Sequence, residues 1–158
     1  HAPNSRIIPQ PAKMREGFTR PHALKAFIIR AGNLQPLTLM DNCIFCRIIA
    51  NNAPAALLYE DDELIAIEDI HPVARVHMLV IPRRHITSLN ELNGGDEALV
   101  ARMVSLARKL ALEHLGAEPA YRLVINTGAD AGQSVFHLHL HIIAGRPLVD
   151  RLITRGLR

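Results

Sequence analysis

The sequence reads His137-Leu138-His139-Leu140-His141-Ile142-Ile143 near its C-terminal end. Because successive side chains of a β-strand point to opposite faces, this alternation predicts a strand with its leucines in a core. The three imidazoles would then line the other face, spaced by about 7 Å. Imidazole can act as nucleophile, acid, base or metal ligand near neutral pH. The row therefore predicts a chemical site, and a merely polar face of an edge strand is the less favoured alternative.

The composition is that of a globular protein, with 49% apolar and 21% charged residues in 158. No apolar run approaches the roughly 20 residues that span a bilayer. Aromatic residues make up only 4% of the chain, which disfavours the base-stacking surfaces of single-strand nucleic-acid binders. We therefore expect neither a membrane nor a nucleic-acid partner.

The net charge of +3 comes from the N-terminal part, because residues 1–39 carry +5 and the remainder sums to −2. Five prolines interrupt this part, and its apolar residues show no sustained period. We predict a basic, proline-rich and mostly loosely ordered extension over residues 1–40, followed by one folded domain over residues 41–158. Two cysteines and the lack of a secretory signal pattern favour a reducing, cytoplasmic location.

Hydrophobic periodicity predicts two helices and five strands. The expected order is a short helix at 43–49, strands at 57–60, 64–67 and 76–81, a long helix at 96–115, and strands at 121–126 and 135–143. Asp96 would cap the long helix and Gly116 would end it. Short connections favour an antiparallel sheet of about five strands with the helices on one face, which is an α+β fold.

The segment just before the histidine row, residues 126–134, is rich in glycine and neutral donors. Gly128 and Gly132 allow backbone N–H groups to approach phosphate oxygens closely. Asn126, Gln133 and Ser134 add side-chain donors that suit a phosphate or a leaving group. An ordinary β-turn, which uses the same residue types, is the alternative.

Cys43 and Cys46 have the spacing of half a tetrahedral zinc site. Two buried helix cysteines are the alternative reading. A redox pair is less favoured, because no thioredoxin-like βαβ pattern surrounds it.

Taken together, these motifs resemble the histidine triad (HIT) family. The stretch from Gly132 to Ile143 looks like that family's His-φ-His-φ-His-φ-φ signature. Other segments are similar to its Hint branch at matching spacing: Ile44-Phe45-(x)2-Ile48-Ile49, Glu60-Asp61-Asp62, Asp69-Ile70, His77-(x)2-Val80-Ile81-Pro82 and Tyr121–Asn126. The resemblance covers residues 41–158.

The resemblance implies a homodimeric enzyme that hydrolyses the P–N bond of purine nucleoside 5′-phosphoramidates and needs no catalytic metal. His139 would be the nucleophile and form a nucleotidyl-histidine intermediate. His141 would stabilise charge on the phosphoryl oxygens, and Ser134 would bind the leaving group. His77 would orient or proton-couple the nucleophile, unless it is simply satisfied within the sheet.

The resemblance also implies the ligand contacts. Asp69 would accept from the ribose hydroxyls and Ile70 would contact the purine. The remaining nucleotide contacts would be Phe45, Asn126, Gly132, Gln133, Val135, Ser134, His139 and His141, and the last three of these also belong to the catalytic set. Some bacterial members hold a structural Zn²⁺, and its ligands here would be Cys43, Cys46, His85 and His137.

Two other functions stay open at this stage. One is the hydrolysis of dinucleoside polyphosphates, and the other is a nucleotide-binding regulatory protein with vestigial hydrolysis. A nucleotidyltransferase is less favoured, because that branch has Gln where this chain has His141. His71 and Arg75 depart from the Hint pattern, which leaves the substrate preference open.

Overall fold

The part of the chain that the structure describes forms one antiparallel sheet with one long and one short helix. The structure is a computed structural model that describes residues 6–7 and 42–145. The strands are β1 (Arg6–Ile7), β2 (Leu57–Glu60), β3 (Leu64–Glu68), β4 (Val76–Pro82), β5 (Tyr121–Val124) and β6 (Leu140–Ala144). The helices are α1 (Ile44–Ile49) and α2 (Glu97–Leu115), with 3-10 turns at Leu89–Glu91 and Ala129–Ala131. The predicted α+β fold is confirmed.

The strands lie in the order β1-β2-β3-β4-β6-β5, and every neighbouring pair is antiparallel. Five of them were predicted from the sequence. The two-residue β1 pairs with the edge of β2 and comes from the predicted N-terminal extension. The rest of residues 1–40 lies outside the described residues, so the domain boundary remains a prediction.

The central strands β3 and β4 are buried on both faces, which places a hydrophobic core on each side of the sheet. Leu64 and Ala66 point into the core that contains α2, whereas Ile65 and Ile67 point into the core that contains Phe45 of α1. The expectation that both helices cover one face was therefore wrong. Nearly continuous apolar runs in β3 and β4 are the sequence signal of this two-sided burial.

Helix α2 has nearly the predicted bounds. Gly116, at a φ of 96°, follows its last residue, a backbone conformation that glycine adopts without steric cost. Asp96 precedes the helix but does not cap it as predicted. Its carboxylate instead accepts from the Asn93 N–H at 2.8 Å and pairs with Arg84, and these contacts lower the pKa of Asp96.

The last two strands are shorter than predicted. Strand β5 ends at Val124, and β6 begins only at Leu140. The segment before β6 bonds elsewhere, because the His137 N–H donates to the Val135 oxygen and the Leu138 N–H donates to the Ile86 oxygen. Only one of the three triad histidines therefore lies within a strand.

The alternation nevertheless sorts the side chains as predicted. Leu138, Leu140 and Ile142 enter the core below α2, and the imidazoles lie on the α1 side. No helix among the described residues is long and apolar enough to cross a membrane.

Candidate active site and metal centre

Three strands bring one carboxylate and two imidazoles together. His141 of β6 is paired with Leu79 of β4, two residues from His77, so both imidazoles lie on the same face of the sheet. Asp69 follows β3, and its N–H donates to the His77 main-chain oxygen at 2.9 Å. The His77 Nε2 lies 2.9 Å from the His141 Nδ1 and 3.4 Å from the Asp69 Oδ2.

The backbone fixes which nitrogen of His77 carries the proton. The Val73 N–H donates to the His77 Nδ1 at 3.3 Å, so in the neutral ring the proton is on Nε2. That Nε2–H points at the His141 Nδ1, which must then accept. The proton of neutral His141 is consequently on Nε2, which is buried and has no hydrogen-bond partner among the described residues. The pair presents one unused N–H donor.

The central histidine has the opposite tautomer. The His139 Nδ1 lies 2.7 Å from the main-chain oxygen of His137, and because a carbonyl can only accept, this nitrogen carries the proton. The lone pair of His139 is therefore on Nε2. The Phe45 ring packs edge-on against His139, with ring centroids 5.2 Å apart, and holds the imidazole in this orientation.

Burial keeps the imidazoles neutral. It lowers the pKa of His141 to about 3, with neighbouring His139 and His77 adding to the effect. Burial also lowers the pKa of His77 and of His139, in both cases against the raising influence of Asp69. At neutral pH, His139 thus offers an uncharged nucleophilic nitrogen beside the donor of His141.

The glycine-containing loop is held by its own side chains. Gly128 and Gly132 both have a φ of 86°. The Gln133 Oε1 accepts from the Gly128 N–H at 2.9 Å, and its Nε2 donates to the Thr87 oxygen at 2.6 Å. The Asn126 Nδ2 reaches the Gly132 oxygen at 3.5 Å. Gln133 and Asn126 therefore shape the loop, whichever ligand it binds.

The structure does not bring all the other predicted nucleotide contacts to the triad: the cavity that Ser134 and Val135 line is also lined by Cys43 and His85. Ser134 and Val135 line a cavity of ≈ 390 Å³ together with Ile44 and Phe136. Ile70 is 78% exposed, and the structure does not pack it against the triad. The Asp69 Oδ1 accepts from the His71 N–H at 2.8 Å, so one carboxylate oxygen is fixed by the backbone.

The predicted metal ligands form one compact cluster. The donor atoms of Cys43, Cys46, His85 and His137 all lie within 4.8 Å of one another. The His137 Nδ1 is 3.5 Å from each sulfur, and the His85 Nδ1 is 3.2 Å from the Cys46 Sγ. Tetrahedral zinc with bonds of about 2.3 Å to sulfur and 2.0–2.1 Å to nitrogen separates such ligands by about 3.5 Å. The four side chains fit the ion.

The surroundings of the cluster agree with metal binding. The His137 Nε2 lies 2.8 Å from the Pro82 oxygen, so the Nε2 carries the proton and the Nδ1 lone pair faces the sulfurs. Burial, together with the neighbouring Cys43, raises the pKa of the Cys46 thiol to about 11 when no metal is bound. A cation would supply the positive charge that makes the thiolate favourable.

Asp69, His77 and His141 form a second group that could hold a metal by separation alone. The tautomer argues against it, because the Val73 N–H occupies the His77 Nδ1 and leaves the Nε2 protonated. A neutral imidazole with a proton on Nε2 has no lone pair there for a metal. This group is better described as a hydrogen-bonded set, in which the His77 Nε2–H donates and the His141 Nδ1 accepts.

Sequence reasoning missed the main-chain partners. The carbonyls of Pro82 and Thr87 and the N–H of Val73 orient His137, Gln133 and His77, respectively. No side-chain pattern could reveal them, because every residue type offers a carbonyl, and all except proline offer an N–H.

Comparison with known proteins gives the family. Residues 42–148 match the family model described as "Scavenger mRNA decapping enzyme C-term binding". The purine nucleoside phosphoramidase of Escherichia coli K12 is 38% identical over 119 residues, which are 75% of this chain and 100% of that protein. The chain belongs to the histidine triad family. Within that family it is of the Hint type and is a hydrolase.

Solved structures of other histidine triad proteins have the same fold. A HIT family hydrolase from Legionella pneumophila is 41% identical, with a TM-score of 0.66, and covers 68% of this chain and 96% of its own. A zinc-bound histidine triad protein from Mycobacterium smegmatis is 34% identical, with a TM-score of 0.60. The match covers 75% of this chain and 81% of that protein.

Proposed function

We propose that this hydrolase cleaves the P–N bond of purine nucleoside 5′-phosphoramidates. The observation that carries the proposal is the tautomer of His139, whose Nδ1–H is held by the His137 carbonyl and whose Nε2 lone pair is free to attack. The identity to the Escherichia coli purine nucleoside phosphoramidase supports this substrate class.

The reaction takes two steps on one nitrogen. The His139 Nε2 bonds to phosphorus while the P–N bond breaks, and the amine leaves with a proton taken up from water. Water then attacks the nucleotidyl-histidine, which releases the nucleoside monophosphate and restores the neutral imidazole. Splitting one displacement into two lowers each barrier, and a neutral imidazole needs no base to activate it.

His141 stabilises the charge that develops on the phosphoryl oxygens. Its buried Nε2–H has no other partner among the described residues, and a preorganised donor in a dry site costs no reorganisation during the reaction. His77 holds this donor in place through its own Nε2–H. No step requires a metal ion at phosphorus.

The nucleoside contacts follow from the family positions. Asp69 accepts from the ribose and Ile70 contacts the base, since an exposed isoleucine offers an apolar surface for a purine. Ser134 binds the leaving group. The remaining proposed contacts are Phe45, Asn126, Gly132, Gln133 and Val135.

We propose a structural Zn²⁺ in the cluster of Cys43, Cys46, His85 and His137. The ligand separations match tetrahedral zinc, and the Mycobacterium smegmatis relative is zinc-bound. When bound, the ion crosslinks α1 to the segments that precede α2 and β6. Metal analysis of purified protein should give about one zinc per chain, and a metal-free protein with native stability would contradict the site.

We propose that two chains pair as a homodimer. Strand β5 is the outer strand of the described sheet on the β6 side, and all four of its residues are only partly buried. An open edge favours pairing with another strand. Light scattering should give twice the mass of one chain, and a monomer at micromolar concentration would contradict the proposal.

The test of the activity compares His139→Ala with His114→Ala, an exposed histidine on α2. His139→Ala should abolish turnover of an adenosine 5′-phosphoramidate while AMP still binds, whereas His114→Ala should retain wild-type rates. Mass spectrometry of the quenched wild-type reaction should show a nucleotidyl adduct on His139. Full turnover by His139→Ala would refute the mechanism.

Turnover of diadenosine polyphosphate, measured beside the phosphoramidate, separates the two hydrolase branches. We expect the phosphoramidate to have the higher kcat/KM. Tight AMP binding with negligible turnover of both compounds would instead indicate a regulatory nucleotide-binding protein.

A further inference from the structure

His137 takes part both in the cysteine–histidine cluster and in the hydrogen bond that orients His139. Its imidazole is part of the cysteine–histidine cluster, with the Nδ1 3.5 Å from both sulfurs. Its main-chain oxygen accepts from the His139 Nδ1 at 2.7 Å. A ligand of the metal centre is therefore also the group that sets the tautomer of the nucleophile, and the two centres share one residue.

We propose that metal binding to this cluster positions the nucleophile, with His137 as the positioning residue. A metal on the His137 imidazole holds that residue, and with it the carbonyl that keeps the proton of His139 on Nδ1 and the lone pair on Nε2. The inference rests on the proposed function for its kinetic consequence, but the effect on the tautomer is independent of any substrate.

The restraint on the His137 imidazole depends on whether the cluster holds a metal. The His137 imidazole is 0% exposed and keeps one strong hydrogen bond, to the Pro82 oxygen. Without a metal, its Nδ1 faces the sulfurs of Cys43 and Cys46 at 3.5 Å. A thiol is a weak donor, so these contacts restrain the ring far less than a metal–nitrogen bond.

The local backbone transmits the restraint over a short distance. The His137 N–H bonds to the Val135 oxygen, and the next N–H, of Leu138, bonds to the Ile86 oxygen at 2.6 Å. Ile86 follows His85, another ligand of the cluster. The metal would thus fix the backbone on both sides of the hydrogen bond between Leu138 and Ile86, directly beside the carbonyl that holds His139.

The expected effect is larger on the rate of chemistry than on substrate affinity. A misplacement of about 1 Å at a reacting group can cost about 100-fold in rate. We expect metal-free protein to lose about 10- to 100-fold in kcat per folded molecule. KM should change less than kcat. Asp69, the proposed ribose contact, lies beside His77 at the far end of the histidine row from the cluster, whereas Phe45, another proposed contact, packs against His137.

The experiment uses the full chain in four test forms and one control; the test forms are zinc-loaded wild type, wild type stripped with a chelator, His85→Ala and His85→Cys. His85→Ala removes a ligand, and its ring contact with His137, without changing any residue of the segment 137–139. His85→Cys replaces the imidazole by another zinc ligand. His114→Ala is the matched control, because it removes an exposed histidine distant from the cluster in sequence.

Four quantities are measured on each form: zinc content, kcat normalised to the folded fraction, KM, and the ¹⁵N signals of the histidine side chains. The zinc-loaded wild type should show His139 as a single Nδ1–H tautomer. Stripped protein and His85→Ala should show a mixture of tautomers and the lower kcat. His85→Cys with bound zinc should recover both, and His114→Ala should match wild type.

The outcomes are decisive in either direction. If turnover falls only in proportion to the unfolded fraction, or the tautomer is unchanged in metal-free folded protein, the cluster is purely structural and the inference is overturned. If wild type does not hydrolyse phosphoramidates, the proposed function fails, yet the tautomer comparison still tests the positioning role.

Discussion

The guanidinium of Arg102 on α2 lies 2.6 Å from the carboxylate of Asp61, whose side chain is only 1% exposed. The same carboxylate accepts from the Tyr59 hydroxyl at 2.8 Å and from the N–H groups of Glu63 and Leu64 at 2.8 and 2.7 Å. One buried group therefore closes the turn between β2 and β3 and ties that hairpin to the long helix.

Replacing this carboxylate should destabilise the fold. Asp61→Ala removes four hydrogen bonds to a buried carboxylate, among them those from the Tyr59 hydroxyl and the Arg102 guanidinium. We expect a loss of about 3 kcal/mol in the free energy of unfolding, measured by urea denaturation. The neighbouring exposed residue provides the control, since Asp62→Ala should change stability by less than about 0.5 kcal/mol. Equal effects of the two substitutions would contradict this role.

Much of the fold could be predicted from the sequence, because its apolar residues recur at the regular spacing of a strand or of a helix. The alternation of Leu138, Leu140 and Ile142 indicates which face enters the core, and the spacing along α2 gives that helix within one residue. The side of the sheet that α1 covers could not be predicted. Strands β3 and β4 are apolar at almost every position, so their pattern does not say which helix packs on which face.

The candidate site was predictable in its residues but not in its tautomers. Histidines at alternate positions and cysteines three apart are visible in a sequence, since chemistry needs those side chains. The proton positions depend on the carbonyl of His137 and the N–H of Val73, whose locations are set by tertiary structure. The late start of β6 has the same origin, because the Leu138 N–H bonds to Ile86, 52 residues earlier in the chain.

Loss of the buried donor should slow the reaction without weakening binding. His141→Ala removes the Nε2–H that has no partner among the described residues. Removing one such donor from a preorganised site costs about 100- to 1,000-fold in kcat, and we expect KM to change by less than about threefold. Steady-state kinetics on an adenosine phosphoramidate provide the measurement. An unchanged kcat would exclude His141 from charge stabilisation.

His77→Ala should also lower kcat, but by less than His141→Ala does. The His141 Nδ1 would lose the donor that sets its tautomer, so only part of the population would present the Nε2–H. We expect kcat to fall by about 10-fold, as when an orienting group is removed. His71→Ala is a nearby control, because His71 contributes its main-chain N–H to Asp69 and its side chain is exposed.

Buried neutral imidazoles should make the fold sensitive to acid. Burial lowers the pKa of His141 to about 3, whereas the unfolded value is about 6.5. Between these values the unfolded chain binds a proton that the folded chain does not, so stability decreases as the pH falls. The contribution of His141 is complete above about pH 6.5 and is lost progressively towards about pH 3.

Urea denaturation between about pH 4 and pH 7 tests this linkage. Each such imidazole can add up to about 1.4 kcal/mol per pH unit to the slope, and the lowered pKa of His77 acts in the same direction. His141→Phe keeps a ring of similar size but cannot bind a proton, so its slope should be smaller than that of wild type. Identical slopes would show that His141 is not the group responsible.

The turn after β6 requires a glycine. Gly145 has a φ of 89°, and a Cβ built on it would lie 2.9 Å from the Cβ of Arg75 and 3.6 Å from the backbone nitrogen of Val76. Gly145→Ala therefore combines a strained backbone with a contact that no side-chain rotation relieves, and we expect a loss of about 2 kcal/mol in unfolding free energy. Gly94→Ala is the matched control, because a Cβ there meets nothing within 4 Å, and it should change stability by less than about 0.5 kcal/mol. Equal stability of the two variants in urea denaturation would show that the chain relaxes around Gly145 at no cost.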